Sequence, residues 1–387
     1  MQLFLTFAAY TFFVAVYSWY KLKKEKLTSK EGYFLGGRSL SGIVIAGSML
    51  LTNISTEHLI GMNGSSYKNG FIIIAWEVTS ALALILTAVY FIPKYLKMGL
   101  TTIPQFLENR FDGFTRSLVA FFLMISFVVT LLPIVLYTGA INLESIFNIS
   151  ELLQVPKSQA MIYTIWAIGL IGSLYAIFGG LKAVAVSDTL NGYGLLIGGL
   201  AVPFLALANI GEGNAIDGLS KVYQNAPEKF NVIGDKDSVM PFEVLFTGLI
   251  INQIYFWCMN QMIIQRALGA KNLEEAQKGL LFTGLLKLLV PLIIILPGVI
   301  GFYYYGDVFY DNQDMIYPEL IKKVLPNSLI GIFAAIVMGA VLSTFNSVLN
   351  SAATIFSIDI FKRHINPNIN DSHLVKTGKI TSAFSAP

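Results

Sequence analysis

Cysteine and histidine are nearly missing from this 387-residue chain: Cys258 stands alone, and His58, His364 and His373 are scattered. A lone cysteine excludes an internal disulfide and a multi-cysteine metal centre. Three isolated histidines are too few for an imidazole cluster. Charge is scarce as well. Only 13% of residues are charged against 55% hydrophobic, and mean hydropathy is +0.66. A soluble domain carries about a quarter charged residues, so this composition argues against a water-facing globule.

What is abundant is apolar sequence in blocks long enough to cross a bilayer, roughly 20 residues each. Spans fall near 2–20, 41–66, 70–95, 117–147, 159–177, 187–209, 242–268, 280–305 and 328–360, and a tenth starts near residue 380. No basic stretch precedes the first span and its flanking charge follows it, which separates it from a cleaved signal peptide. With the N-terminus outside, segments 21–38, 94–116, 182, 266–278 and 362–379 face the cytoplasm. They hold 18 of the 26 Lys and Arg; the other side holds seven, and Lys287 lies within a span. The positive-inside rule then predicts an N-terminus outside, and a plasma (inner) membrane is the expected location. The net charge of +3 reflects that topology and points to no nucleic acid. The lipid bilayer is a required partner; oligomeric state is not legible here.

The polar run Thr52-Asn53-Ile54-Ser55-Thr56-Glu57-His58 interrupts the second span. Backbone that leaves the helix at membrane depth must line a cavity or bind something. In transporters such broken helices build solute and ion sites near the bilayer midplane. A second polar stretch, Asn252 to Gln261, interrupts span 242–268. It comes five spans later, so the two breaks run in opposite orientations, the mark of an inverted repeat. The expected organisation is an extra helix and basic loop at 1–40, a five-helix repeat at 41–209, an external loop at 210–241, and a C-terminally truncated second repeat at 242–387. Gln265 to Lys278 reads as a short helix on the inner face.

Ionisable groups within spans cost about 2.5–3.5 kcal/mol each on insertion scales and call for a reason. Here they are Glu57 with His58, Glu77, Asp188 and Lys287. Lys287 reads as an ion-pair partner of Glu77 or as a solute contact, and the roles can coexist. Glu77 and Ser80 share a helix face, an acceptor and a hydroxyl that suit a polyhydroxylated ligand. The Ala340 carbonyl and the Ser343 and Thr344 hydroxyls also share one face. A neutral oxygen set fits a monovalent hard cation better than Ca²⁺. Such hydroxyls equally serve helix packing, and both readings stand on spacing alone.

These residues occur in longer strings: Tyr33-Phe34-Leu35-Gly36-Gly37-Arg38-Ser39-Leu40, Asn53-Ile54-Ser55 through Ile60-Gly61-Met62, and Tyr175 through Asp188 with Gly179-Gly180-Leu181. Gln265-Arg266, Glu275-Ala276-Gln277-Lys278-Gly279 and Leu349-Asn350-Ser351-Ala352-Ala353-Thr354-Ile355-Phe356 follow. Together they resemble the sodium/solute symporter family, most of all its bacterial sodium/galactose and animal sodium/glucose members. The resemblance implies an all-α membrane protein with a five-plus-five inverted-repeat transporter fold preceded by one extra helix. It implies a sugar site from Asn53, His58, Glu77, Ser80, Gln253 and Lys287. Met62 and Trp76 match outer-gate positions, and Phe256 stands where a gating Tyr stacks on the sugar. His58 matches the animal carriers, where the bacterial galactose carrier has Gln; Gln253 replaces a family Asn or Thr.

A co-transported sodium ion would take the carbonyls of Leu51, Ile54 and Ala340 and the hydroxyls of Ser343 and Thr344, with Asp188 on its exit path. The expected function is sodium-driven uptake of a neutral sugar by alternating access, with no enzymatic step. Inositol, sialic acid, proline or pantothenate are alternative solutes, although a carboxylate solute would meet Glu77 repulsively. Another class, the transporter-like input domain of a membrane sensor kinase, is the remaining alternative.

Overall fold

The structure, a computed structural model, describes residues 2–23 and 28–385. Lys24 and Lys26 of the expected basic loop lie outside the described residues. Helix dominates, and an isolated bridge joins Leu40 to Ala270. Among the described residues, six helices are long and apolar enough to cross a membrane, or seven if the bent pair Leu273–Lys287 and Val290–Tyr305 forms one span. With no water in a bilayer core to take up peptide groups, a helix is what lets each of these segments satisfy its own backbone.

Helix α1 (Gln2–Leu22) precedes the first broken helix, made of α2 (Gly42–Asn53) and α3 (Thr56–Asn69). The break occupies Ile54 and Ser55, whose ψ angles of 71° and 176° leave the helical region. It is narrower than the seven-residue polar run. Ile54 N–H still donates to Leu50, and Leu59 N–H already donates to Ser55, so only Ile54 and Ser55 leave the helix. Helix ends leave carbonyls without backbone donors, and here those ends meet inside the bundle.

Helix α4 (Ala75–Leu86) runs through a π turn at Thr87–Phe91 into Ile92–Lys97. Helices α5 (Gly113–Ile125) and α6 (Leu132–Phe147) are likewise joined by a π turn, and α7 (Lys157–Ile210) turns sharply at Gly180. Gly180 has φ of 57°, and a Cβ there would lie 2.8 Å from the Tyr33 carbonyl, so glycine is required twice over.

The second broken helix comprises α8 (Gly248–Ile254), a π turn at Tyr255–Met259, and α9 (Gln261–Leu268). Only Asn260, with ψ of 121°, leaves the helical region, and its side chain caps α9 at Met262 N–H. Most of the polar stretch 252–261 is therefore helical, contrary to the expected ten-residue interruption. Gln253 turns inward while Asn252 stays exposed.

Helix α10 (Leu273–Lys287) bends into α11 (Leu296–Tyr305); α12 (Asn327–Ile355) continues as a π segment to Ile365, and α13 (Asp371–Phe384) follows. Helix α13 begins well before residue 380, because the Asn370 side chain caps it at His373 N–H. Gln265 to Lys278 is not one surface helix. The Leu40 strand pairing (Leu40 N–H to Gly269, 3.1 Å; Lys271 N–H to Leu40, 3.0 Å) forces a turn between α9 and α10. Segment 210–241 is also not bare loop, since it holds a helix at Ala215–Asn225. Apolar clusters flank the breaks, one including Met49, Trp257 and Phe345, the other Leu51, Ile54 and Phe333.

Candidate functional site at the helix breaks

A cavity of about 390 Å³ opens where the two broken helices approach α12. Asn53, Ser55, Glu57, His58 and Met62 line it from α2 and α3, Phe256 and Asn260 from the second break, and Thr344 from α12. That volume falls in the usual range for small-molecule sites, roughly 300–1,000 Å³.

Behind the wall lies a charged network. Glu77 and Lys287 are both 1% exposed and form an ion pair. The Lys287 ammonium also donates to Asn53 Oδ1 at 2.6 Å and sits 5.5 Å from the Trp257 ring centroid. His58 Nε2 lies 2.8 Å from the second Glu77 oxygen. Helix ends favour this placement: Glu77 is in the first turn of α4 and Lys287 in the last turn of α10. The pair therefore fixes the two side chains that face the cavity, Asn53 and His58.

Ser80 and Gln253 are buried beside this network. The Ser80 hydroxyl donates to the Glu77 carbonyl, and Gln253 Nε2 donates to the Trp76 carbonyl at 2.8 Å, tying α8 to α4. The structure thus brings Asn53, His58, Glu77 and Lys287 into one network. Met62 and Phe256 stand on the cavity, whereas Ser80, Gln253 and Trp76 lie behind it.

Of the expected cation-binding residues, Ser343 and Thr344 come against the end of α2. Leu51, Ile54 and Ala340 are fully buried. The Thr344 hydroxyl donates to the Thr52 carbonyl at 3.4 Å, and Ser343 Oγ is 3.4 Å from Thr52 Oγ1. These are long contacts for hydroxyls, whose hydrogen bonds favour about 2.7–2.8 Å. A third hydroxyl, Ser347, lies 3.3 Å from Thr52 Oγ1. Among the described residues no cluster of three His, Cys, Asp or Glu could hold a metal ion. The hydroxyls and carbonyl at this point are neutral, a set that suits a weakly held monovalent cation.

One residue was misplaced by charge counting. Arg266 is not a loop cation: it is 1% exposed and forms an ion pair with Asp188 at 3.2 Å. Its Nε donates to Ser48 Oγ at 2.6 Å, Ser48 donates to Asp188 at 2.7 Å, and Nη2 also donates to Ser347. Helix α9 is buried along its whole length, so a guanidinium there must find a carboxylate. In this conformation Arg266 seals Asp188 beneath the hydroxyl cluster. Thr52, Ser48 and Ser347 carried no role in the sequence; Thr52 could have been found, since it opens the polar run.

A family model described as the sodium:solute symporter family matches residues 33–384. The uncharacterized symporter YidK of Escherichia coli (strain K12) is 47% identical over 99% of this chain and 66% of that protein. A sodium/glucose cotransporter of Vibrio parahaemolyticus is 35% identical over 94% of the chain and 69% of its own length. A sodium/myo-inositol cotransporter of Bos taurus is 30% identical over 97% of the chain and 56% of its own length. The chain thus spans between about half and two thirds of the length of these relatives. A solved structure of a Na⁺-coupled sialic acid symporter, substrate-bound and outward-open, superposes with a TM-score of 0.86. It is 22% identical, over 100% of this chain and 78% of that one, and shows the inverted-repeat fold. The chain belongs to the sodium:solute symporter family.

Proposed function

We propose that this protein is a secondary active transporter that couples inward sodium flow to uptake of a neutral sugar or cyclic polyol. The observation that carries the reading is one cavity bounded by both helix breaks, with Thr52 and Thr344 in its wall and the Ser343 hydroxyl 3.4 Å behind Thr52 Oγ1. The sodium/glucose and sodium/myo-inositol cotransporters among its relatives support a hydroxyl-rich solute. The excess of Lys and Arg on one side supports an N-terminus outside.

In mechanism, the solute hydroxyls engage Asn53 and His58, whose orientations Lys287 and Glu77 fix. Met62 and Phe256 give the apolar contacts that cover a sugar ring. Sodium at Leu51, Ile54, Ala340, Ser343 and Thr344 joins α2 to α12. A ligand shifts a conformational equilibrium only through differential binding, and a cation shared between these helices binds only where they meet. Release then requires Arg266 to part from Asp188, opening the path below the hydroxyls. No covalent chemistry is needed.

The driving force is adequate. One charge crossing 100 mV yields about 2.3 kcal/mol, and a tenfold sodium gradient adds about 1.4 kcal/mol. Together they sustain accumulation on the order of 500-fold per sodium. The test is uptake of galactose, glucose and myo-inositol into proteoliposomes under an inward Na⁺ or K⁺ gradient. Uptake of at least one solute with Na⁺ alone is expected; none, or equal uptake with K⁺, would overturn the reading.

A further inference from the structure

The cavity wall carries two ionisable side chains, His58 and Glu57. His58 is engaged by Glu77, and Glu77 is further neutralised by Lys287. Glu77 therefore cannot repel an anionic solute, although the sequence suggested that it would. Glu57 differs. The ion pairs found at this site go to Glu77, and neither cation serves Glu57. Its Oε2 is shut away from solvent and receives no hydrogen bond. Its place in the first turn of α3 makes a carboxylate tolerable at that helix end, yet the helix supplies no donor to that oxygen. A buried acceptor without a donor costs free energy, and because Glu57 lines the cavity, a turn of its side chain brings that oxygen to a solute hydroxyl that removes the cost.

We propose that Glu57 is a specificity-determining residue that selects hydroxyl donors and rejects solutes bearing a carboxylate. The proposal rests on the transport reading above. An ionised carboxylate has acceptors only, so it pairs with the hydroxyls of a neutral polyol and meets a sugar acid with like charge and no proton to share. A site built around a polar group discriminates steeply against a solute that cannot complete its hydrogen bonds. Glu57 thus supplies the selectivity against anions that the neutralised Glu77 cannot. It also stands in the same cavity as Thr52 and Thr344, so its negative charge favours rather than opposes a nearby sodium ion.

The experiment measures equilibrium binding to the purified protein in sodium buffer, pairing each hexose with its uronic acid: galactose with galacturonate, glucose with glucuronate. Wild type is expected to bind a hexose about 100-fold more tightly than the matching uronate. Glu57→Gln should weaken the hexose about tenfold and cut discrimination below about tenfold. Glu57→Asp keeps the charge and guards against misfolding as an explanation: it should lose hexose affinity yet keep the discrimination. Unchanged discrimination in Glu57→Gln, or equal wild-type binding of hexose and uronate, would overturn the proposal while leaving solute transport standing. Failure of wild type to bind any hexose or myo-inositol would overturn the neutral-solute reading and this proposal with it.

Discussion

Replacing Lys287 by methionine keeps most of the side-chain volume and removes the charge that Glu77 depends on. Both residues are 1% exposed, and the ammonium also holds Asn53 Oδ1 at 2.6 Å. Removing one member of a buried pair costs about 3–5 kcal/mol, because the other charge stays buried without its partner. His58 remains 2.8 Å from Glu77, which places Lys287→Met near 3 kcal/mol, the lower end of that range. Glu77→Gln should cost a similar amount by stranding the ammonium. The double variant buries no charge at all, so its cost should fall short of the sum by more than about 1.5 kcal/mol. Denaturation midpoints of the solute-free proteins in detergent, read as a double-mutant cycle, give that coupling. Solute uptake should be lost in all three variants, since Asn53 and His58 lose their support. Additive costs, or a single variant within about 0.5 kcal/mol of wild type, would refute the argument that this pair organises the cavity wall.

Three further perturbations test other parts of the molecule. Ser343→Ala should raise the sodium concentration for half-maximal uptake by about tenfold, the equivalent of one lost hydroxyl contact; an unchanged sodium curve would remove that hydroxyl from the cation site. Lys229, from the segment after α7, donates to the Tyr67 carbonyl at 3.1 Å and to Lys68 at 2.5 Å, capping α3 with a cation. Lys229→Met should therefore destabilise the protein by about 1–2 kcal/mol in the same assay, and an unaltered midpoint would contradict that role. Outside the spans, the hydrogen bond from Arg116, opposed by burial and joined by a smaller one from Arg363, holds the Glu108 carboxyl below its ordinary value of 4.5. A depressed folded value stabilises above the unfolded value and is lost as pH falls through the folded one. Wild type should lose stability relative to Glu108→Gln as pH drops below 4.5, and parallel pH curves would refute it.

The apolar blocks and both helix breaks were legible in the sequence because each is a local signal. How wide each break is was not. Thr52 and Asn53 stay helical because their backbone still sits beneath Ile54, whose N–H completes the last turn of α2. Tyr255 to Met259 stay helical by widening into a π turn. The Glu77–Lys287 partnership was legible too, since two opposite charges within apolar spans need each other. Arg266 was misread because a charge count treats any cation near a span end as wet. Its partner Asp188 lies on α7, and only the folded chain brings the two together. Glu57 was visible as an ionisable residue, but the role proposed for it depends on Glu77 being neutralised, which requires α4 and α10 in contact.

The central claim is that sodium and solute bind at one pair of helix breaks and therefore depend on each other. The direct measurement is reciprocal linkage: solute affinity at saturating Na⁺ and in K⁺, and Na⁺ affinity with and without solute. Mutual tightening by the same factor is expected, since linkage is reciprocal, and Thr344→Ala should shrink that factor. Solute affinity that is the same in Na⁺ and K⁺ would contradict it.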